Sequence, residues 1–423
     1  MTMKSKELFS MALGIEPPWH VKDIVFDKDA RRLDIHIDFE SGATFHYEDA
    51  ESGVNGGFKA YDTVGKAWRH LNFFQHECCL RCRTPRVDIG GGKARLVPPP
   101  WSGKCNGFTM LFEALVMQLC TYMPVNAVAR VVGVGDDKIW TMLARYNEEA
   151  RKYEDYSDVK AVGMDETSRA KGHECVTLFV DMDERKTIYI AEGKDAATVD
   201  AFAADFAAHK GDPAAIEDAS CDMSPAFISG VAKNMPNAKI TFDRFHIMKI
   251  LNQAVDNVRR NEVQEEFALR RSRYLFLKNR ENLSAEEAAR LDMLENMPGH
   301  RLKAIRALHM KESFQEIYKV SRSSPESFEP LLKKWYRWAI HSRLVPMVQA
   351  ARTIKEHWDG IVNWHKSMIS NGILEGLNSL IQAAKAKARG YRTFKNFKII
   401  AYLITGRLDY RRINPAIGIM ATD

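Results

Sequence analysis

Apolar and polar positions in this chain follow three rhythms in succession. Near the N-terminus they alternate. Val21-Lys-Asp-Ile-Val-Phe-Asp and Arg32-Leu-Asp-Ile-His-Ile-Asp-Phe-Glu predict half-exposed strands in a β-rich, irregular region. From Phe108 the apolar residues recur at helical spacing, through Phe108-Thr-Met-Leu-Phe-Glu-Ala-Leu-Val-Met-Gln-Leu. The next stretch predicts a short helix from about Val125, a glycine-bearing turn at Gly133 to Gly135, and a second helix from about Asp136. Ala129 and Gly133 are small where two helices approach. Val134, Ile139 and Leu143 are expected inside, with Asp136, Asp137, Lys138, Thr141 and Arg145 outside. This arrangement resembles a helix-turn-helix, with a plain helical hairpin as the alternative. In the first reading Lys138, Thr141 and Arg145 are candidate DNA contacts.

From Val159 the third rhythm is that of an α/β segment. Val159-Lys-Ala-Val-Gly-Met-Asp165 reads as a buried strand ending in a carboxylate. Glu174 to Asp181 and Thr187 to Glu192 form a hairpin with each other. Ala196 to Ala208 is a helix, Ala214 to Cys221 a fourth strand delivering Asp222, and Ala238 to Asp243 a fifth with Arg244-Phe-His246 at its end. Residues 247–365 are almost wholly helical, divided at Pro298-Gly and at Ser321-Arg-Ser-Ser-Pro325, and read as an insertion. In Ser370 to Gly390, Leu374, Leu377, Ile381 and Ala384 share one face of a helix. Glu375, Asn378, Gln382, Lys385 and Arg389 share the other. A face running from an acid through amides into bases suits a polyanion, so Lys385, Lys387 and Arg389 are candidate phosphate contacts; a solvated surface helix is the alternative.

Composition narrows the class. The 423 residues are 45% hydrophobic and 27% charged, the balance of a multidomain globular protein with no run suited to a bilayer. No secretory signal is read at the N-terminus, and seven irregularly spaced cysteines suit a reducing cytoplasm. The net charge of +6 is compatible with nucleic acid. Arg81, Arg83, Arg86, Lys93 and Arg95 form a basic stretch, either a phosphate-contacting surface or a solvated strand face. Cys79-Leu-Arg-Cys82 is half of a zinc pattern whose second pair does not follow, so a structural zinc is not expected.

Three acids then stand on different elements: Asp165, Asp222 and Glu375. Carboxylates gathered together repel unless a divalent cation lies between them, and oxygen-only ligands favour magnesium or manganese. Asp243 rivals Asp222, since both follow strands. His246 is either a phosphate or water contact or a satisfied histidine at a strand end.

The boxes Gly163-Met-Asp-Glu166, Cys221-Asp-Met-Ser-Pro-Ala-Phe227, Pro236-Asn-Ala-Lys-Ile-Thr-Phe-Asp-Arg-Phe-His246 and Asn371-Gly-Ile-Leu-Glu-Gly-Leu-Asn378 resemble those of the ISL3 family of bacterial insertion-sequence transposases. Trp68-Arg-His-Leu71 and the helix-turn-helix stretch fit as well. The resemblance implies an α+β multidomain chain: a β-rich DNA-binding domain (1–104), a helix-turn-helix (105–152), an RNase H-like catalytic domain with a mixed five-stranded sheet (153–249 and 366–410), and an all-helical insertion (250–365). It implies that Asp165, Asp222 and Glu375 are the metal-binding triad of a DDE enzyme. Such an enzyme binds the terminal inverted repeats and cleaves and joins double-stranded DNA with two magnesium or manganese ions, as a homo-oligomer in the bacterial cytoplasm at the nucleoid. A metal-dependent nuclease without joining, or an inactive DNA-binding regulator, are the alternatives. The family's paired N-terminal cysteines are missing here: the equivalent regions read Phe45-His-Tyr-Glu-Asp-Ala50 and Val87-Asp-Ile-Gly-Gly-Gly92.

Overall fold

The computed structural model describes residues 5–49, 53–90, 94–170, 174–297, 302–367 and 372–420. Pro298-Gly299, Lys93, Ser370 and Asn371, each used in the sequence reading, lie outside the described residues. The chain is α+β, with two mixed sheets, and forms two compact units.

The first unit takes residues 1–153, 386–389 and 408–423. After α1 (Ser5–Ala12) come β1 (Trp19–Asp27), β2 (Arg32–Phe39), β3 (Thr44–Asp49), β4 (Val54–Phe73), β5 (His76–Asp88) and β6 (Ala94–Leu96). They build a six-stranded sheet in the order β1-β2-β5-β4-β3, with β6 on β5. Only β2 and β5 run parallel. The alternation expected of β2 fails, because Leu33, Asp34 and Ile35 are all buried in a strand flanked on both sides. Trp19, Ile35, Trp68, Leu80 and Trp101 lie in the core of this sheet.

Three helices follow: α2 (Met110–Tyr122), α3 (Val125–Val132) and α4 (Asp136–Arg151). The turn between α3 and α4 falls where the glycines predict. Its physical reason differs from close helix approach: Gly133 ends α3 at φ +70°, a left-handed conformation that glycine adopts without strain. Ile139 and Leu143 are buried as expected, and Val134 is only half-buried. Glu113 ties this unit together from within α2. Its carboxylate accepts from the Lys104 and Cys105 amides (2.9 and 2.7 Å) and from the Tyr146 hydroxyl of α4 (2.7 Å).

The second unit takes residues 154–385 and 390–407. Its strands are β7 (Ala161–Ala170), β8 (Glu174–Asp181), β9 (Lys186–Glu192), β10 (Asp218–Cys221) and β11 (Lys239–Phe242). They form a five-stranded sheet in the order β11-β10-β7-β8-β9, parallel across the first three and antiparallel across the rest. The fourth strand is shorter than read from sequence, because Pro213 opens a 3-10 turn over Pro213–Ala215. Helices α5 (Ala196–Ala208) and α6 (Pro225–Asn234) precede a helical run: α7 (Arg244–Glu262), α8 (Arg273–Leu277), α9 (Ala285–Glu295), α10 (Lys303–Val320), α11 (Phe328–Ile340), α12 (Val345–Glu356) and α13 (Trp358–Ser367). One apolar core runs from Val162 and Phe179 of the sheet through Leu251, Phe314 and Trp364 of these helices. Then come α14 (Gly372–Ala388) and α15 (Phe394–Thr405), while α16 (Ala416–Met420) belongs to the first unit.

Candidate active site

Asp165 does not sit at a strand tip. β7 continues to Ala170, and Asp165 pairs with Leu178 of β8. On the other side, however, β10 leaves β7 after Ser220 pairs with Gly163. Asp165 therefore lies just beyond the parallel part of the sheet, where the flanking strand has ended. Asp222 follows the last residue of β10, and its Oδ1 accepts from the Ser224 amide (2.9 Å). Both acids thus stand where the parallel part of the sheet stops, the edge at which open α/β sheets place their ligands.

The distant glutamate arrives on α14. Leu374 packs over Gly163 so closely that a Cβ there would lie 3.0 Å from it. Asn378 Nδ2 donates to Asp165 Oδ2 (2.5 Å), Gln382 Nε2 to the Thr167 hydroxyl (2.7 Å), and Lys385 Nζ to the Ser168 carbonyl. Helix and strand thus run in step: four helical residues advance about 6 Å and two strand residues about 6.6 Å. Glu375 precedes Asn378 by one turn and is exposed, lining a cleft with Asp243, Arg244 and Phe245. The sequence separated an apolar stripe from a polar one, but the docked stripe mixes them, with Leu374, Asn378, Gln382 and Lys385 all facing β7. The lysine expected on a polyanion is half-buried against a carbonyl, while Lys387 and Arg389 are exposed. Arg389 also adopts a left-handed backbone at φ +58°.

Asp243 directly follows the last residue of β11, as expected, whereas His246 lies in the first turn of α7. Asp243 caps α7, accepting from the Phe245 amide (2.9 Å), and its other oxygen meets His246 Nδ1 at 2.9 Å. The hydrogen bond to Asp243 raises the imidazole's affinity for a proton, and Asp222 and Asp165 add to it through space. His246 therefore stands among three carboxylates. Burial pushes the Asp165 carboxyl up to about 6, and Asp243 adds to this against the opposing Glu166 amide, His246 and Asn378. The Asn378 Oδ1 beside it is buried with no hydrogen-bond partner. Among the described residues no three Asp, Glu, His or Cys side chains are gathered closely enough to hold a metal ion. The donor set nonetheless fits a hard divalent cation, since it offers carboxylate oxygens, one of them disfavoured as an anion by burial, and an orphaned amide oxygen.

Elsewhere the sequence candidates have other employment. Arg81 pairs with Asp34 (3.0 Å), Arg83 with Asp38 (2.9 Å) and Arg86 with Asp62 (2.6 Å). Cys79 and Cys82, three apart on β5, point to opposite faces and cannot share an ion. On α4, Lys138, Thr141 and Arg145 are exposed, but the Thr141 hydroxyl donates to the Asp137 carbonyl (2.9 Å) and Arg145 to the Lys104 carbonyl (2.5 Å). The sequence reading left Asn378 outside the site; its i, i+3 relation to Glu375 was the available signal. No helix among the described residues is long and apolar enough to cross a membrane.

Comparison with known proteins gives the chain a family. Residues 162–401 match a family model described as a transposase, and residues 97–147 match the helix-turn-helix domain of transposase family ISL3. The chain is 27% identical over 353 residues to the transposase for insertion sequence element IS1001 of Bordetella parapertussis, covering 80% of this chain and 84% of that one. It is 23% identical over 424 residues to the transposase for insertion sequence element IS1557 of Mycobacterium tuberculosis, covering 92% and 93%. The first match alone spans more than half of the chain and holds Asp165, Asp222 and α14 within it, so this protein belongs to the ISL3 family of transposases.

Proposed function

We propose that this transposase binds the terminal repeats of its element and cleaves and joins DNA at a single site built from Asp165, Asp222 and Glu375. The observation that carries this reading is the register of α14 on β7, which sets Asn378 on Asp165 and Glu375 one turn away. The strand order, with an antiparallel β8 and β9 beside three parallel strands, supports reading the sheet as RNase H-like. Asp165, Asp222 and Glu375 would hold divalent magnesium or manganese, which when bound stabilises the charge that develops on the phosphoryl oxygens and on the leaving 3′-oxygen.

The chain's own residues prepare that site. The Glu166 amide and Asn378 fix both oxygens of Asp165. Asp243 holds His246 in place and favours its charged form, which offsets the surrounding carboxylates. Cleavage and joining are one reaction at phosphorus with different attacking oxygens. Water releases a strand end, and a DNA 3′-hydroxyl joins it to a target. The exposed face of α4, with Lys138, Thr141 and Arg145, supplies contacts to the repeat.

Labelled end DNA and a target plasmid, incubated with magnesium, test this. Wild type yields cleaved and joined products, and Asp165→Ala yields neither while still shifting end DNA on a gel. Cleavage by Asp165→Ala removes the assignment. Cleavage without joining by wild type makes the protein a nuclease, and binding alone makes it a regulator.

A further inference from the structure

The cleft that Glu375 lines has a volume of about 810 Å³, the size of one that encloses a small ligand. It is too small for a duplex, and its walls suit one particular piece of DNA. Phe245, Lys249 and Asn252 descend one face of α7 at helical spacing and all line it. Phe245 is 61% exposed, an aromatic ring offered to solvent at the mouth of a polar site. Arg244 and Arg322 lie in the same cleft. Among the described residues neither they nor Lys249 pairs with a carboxylate, whereas the cleft's other arginine, Arg273, faces Asp256 at 3.5 Å. The Arg244 guanidinium is held 4.8 Å over the Tyr318 ring, and both burial and the like charge of Arg322 weigh against its own charge. Asp243, Asp256 and Glu375 also line the cleft, but none of them pairs with Arg244 or Arg322 among the described residues, and two unpaired guanidiniums brought together call for an anion. The Asn252 Oδ1 is buried, lacks a hydrogen-bond partner, and can accept from the amino or imino group of a base.

We infer that this cleft holds an unpaired nucleotide of the DNA strand being processed, its phosphate on Arg244 and Arg322 and its base stacked on Phe245 within reach of Asn252. A π-face, a cationic pair and an orphaned acceptor are together the chemistry by which proteins grip single-stranded nucleotides. The inference rests on the reading that Glu375 faces DNA, and it assigns to the helical segment the task of keeping the strand end unstacked beside that acid. No bond is made or broken in this step.

The test uses the full chain and two fluorescent DNAs, a short blunt duplex and the same duplex with a short 3′ overhang carrying 2-aminopurine. Wild type binds the overhang more tightly than the blunt duplex and changes the 2-aminopurine emission. Phe245→Ala, at an exposed position that does not endanger folding, loses roughly ten- to a hundred-fold in affinity for the overhang and less than about two-fold for the blunt duplex. Phe245→Trp restores overhang binding. Arg244→Ala combined with Arg322→Ala weakens overhang binding and flattens its salt dependence. Equal affinity of wild type for both DNAs, or equal losses on both by Phe245→Ala, overturns the inference. Selective overhang binding by a protein that never cuts DNA sustains it and overturns the catalytic reading instead.

Discussion

The N-terminal sheet and the end of the second sheet treat charge in opposite ways. On the first, each arginine of the basic stretch that β5 carries meets an acid across the strands: Arg81 on Asp34, Arg83 on Asp38, Arg86 on Asp62. Around β7 and α7 the balance is left open. Asp165, Asp222 and Asp243 surround one imidazole, and Arg244 and Arg322 share a cleft with no carboxylate partner among the described residues. A row of basic residues in a sequence is thus a poor guide to free charge. What marks a site is charge that the folded chain leaves uncompensated, because burying it costs free energy that only a ligand can return.

That contrast can be broken most sharply at its centre. Asp165→Asn lowers strand cleavage by on the order of 10³-fold or more while the melting temperature holds or rises, since the substitution removes a buried carboxylate. A lower melting temperature with full activity reverses the comparison. Asn378→Ala, which removes only the partner of Asp165, lowers cleavage by roughly 10- to 100-fold at unchanged end-DNA affinity. Loss of binding in parallel would make Asn378 merely structural.

Charges held by the backbone or by a partner predict stability effects instead. Lys311, buried in α10, donates to the Phe276, Leu277 and Lys278 carbonyls at 2.6, 3.4 and 3.4 Å. Burial pulls its ammonium down to about 8 from 10.5. Between those values the unfolded chain holds a proton that the folded chain lacks, so stability rises with pH across that window and is flat below it. Lys311→Met abolishes the rise and orphans the carbonyls, costing about 1–3 kcal/mol by guanidinium denaturation; an unchanged slope would place the titration elsewhere.

On the first sheet, Asp38→Ala costs about 1–2 kcal/mol, because it strands Lys22 and Arg83 only at the surface. If it impaired cleavage with stability intact, the sheet's pairing would be functional rather than structural. The smallest effect is expected from Lys387→Ala, which weakens DNA binding severalfold and reduces the salt slope by about one charge.

Several features were legible without coordinates because they belong to neighbours in sequence. Helical and alternating spacing located α2, α3, α4 and α5 and the hairpin of β8 and β9, and Gly133 marked the turn of the helix-turn-helix. Asp222, which follows its strand, and the acid of α14 stood out for the same local reason. Tertiary structure alone decided the rest. It carried β7 past Asp165, because β8 continues the ladder where β10 stops. It drew Asp243 and His246 into the first turn of α7 as a bonded pair. It turned Asn378, Gln382 and Lys385 onto β7 instead of outward, because a helix and a strand that advance at matching rates can satisfy each other turn by turn. Backbone preference is a property of adjacent residues. Whether a charge is neutralised depends on what folding brings opposite it, from a distance along the chain that no local pattern encodes.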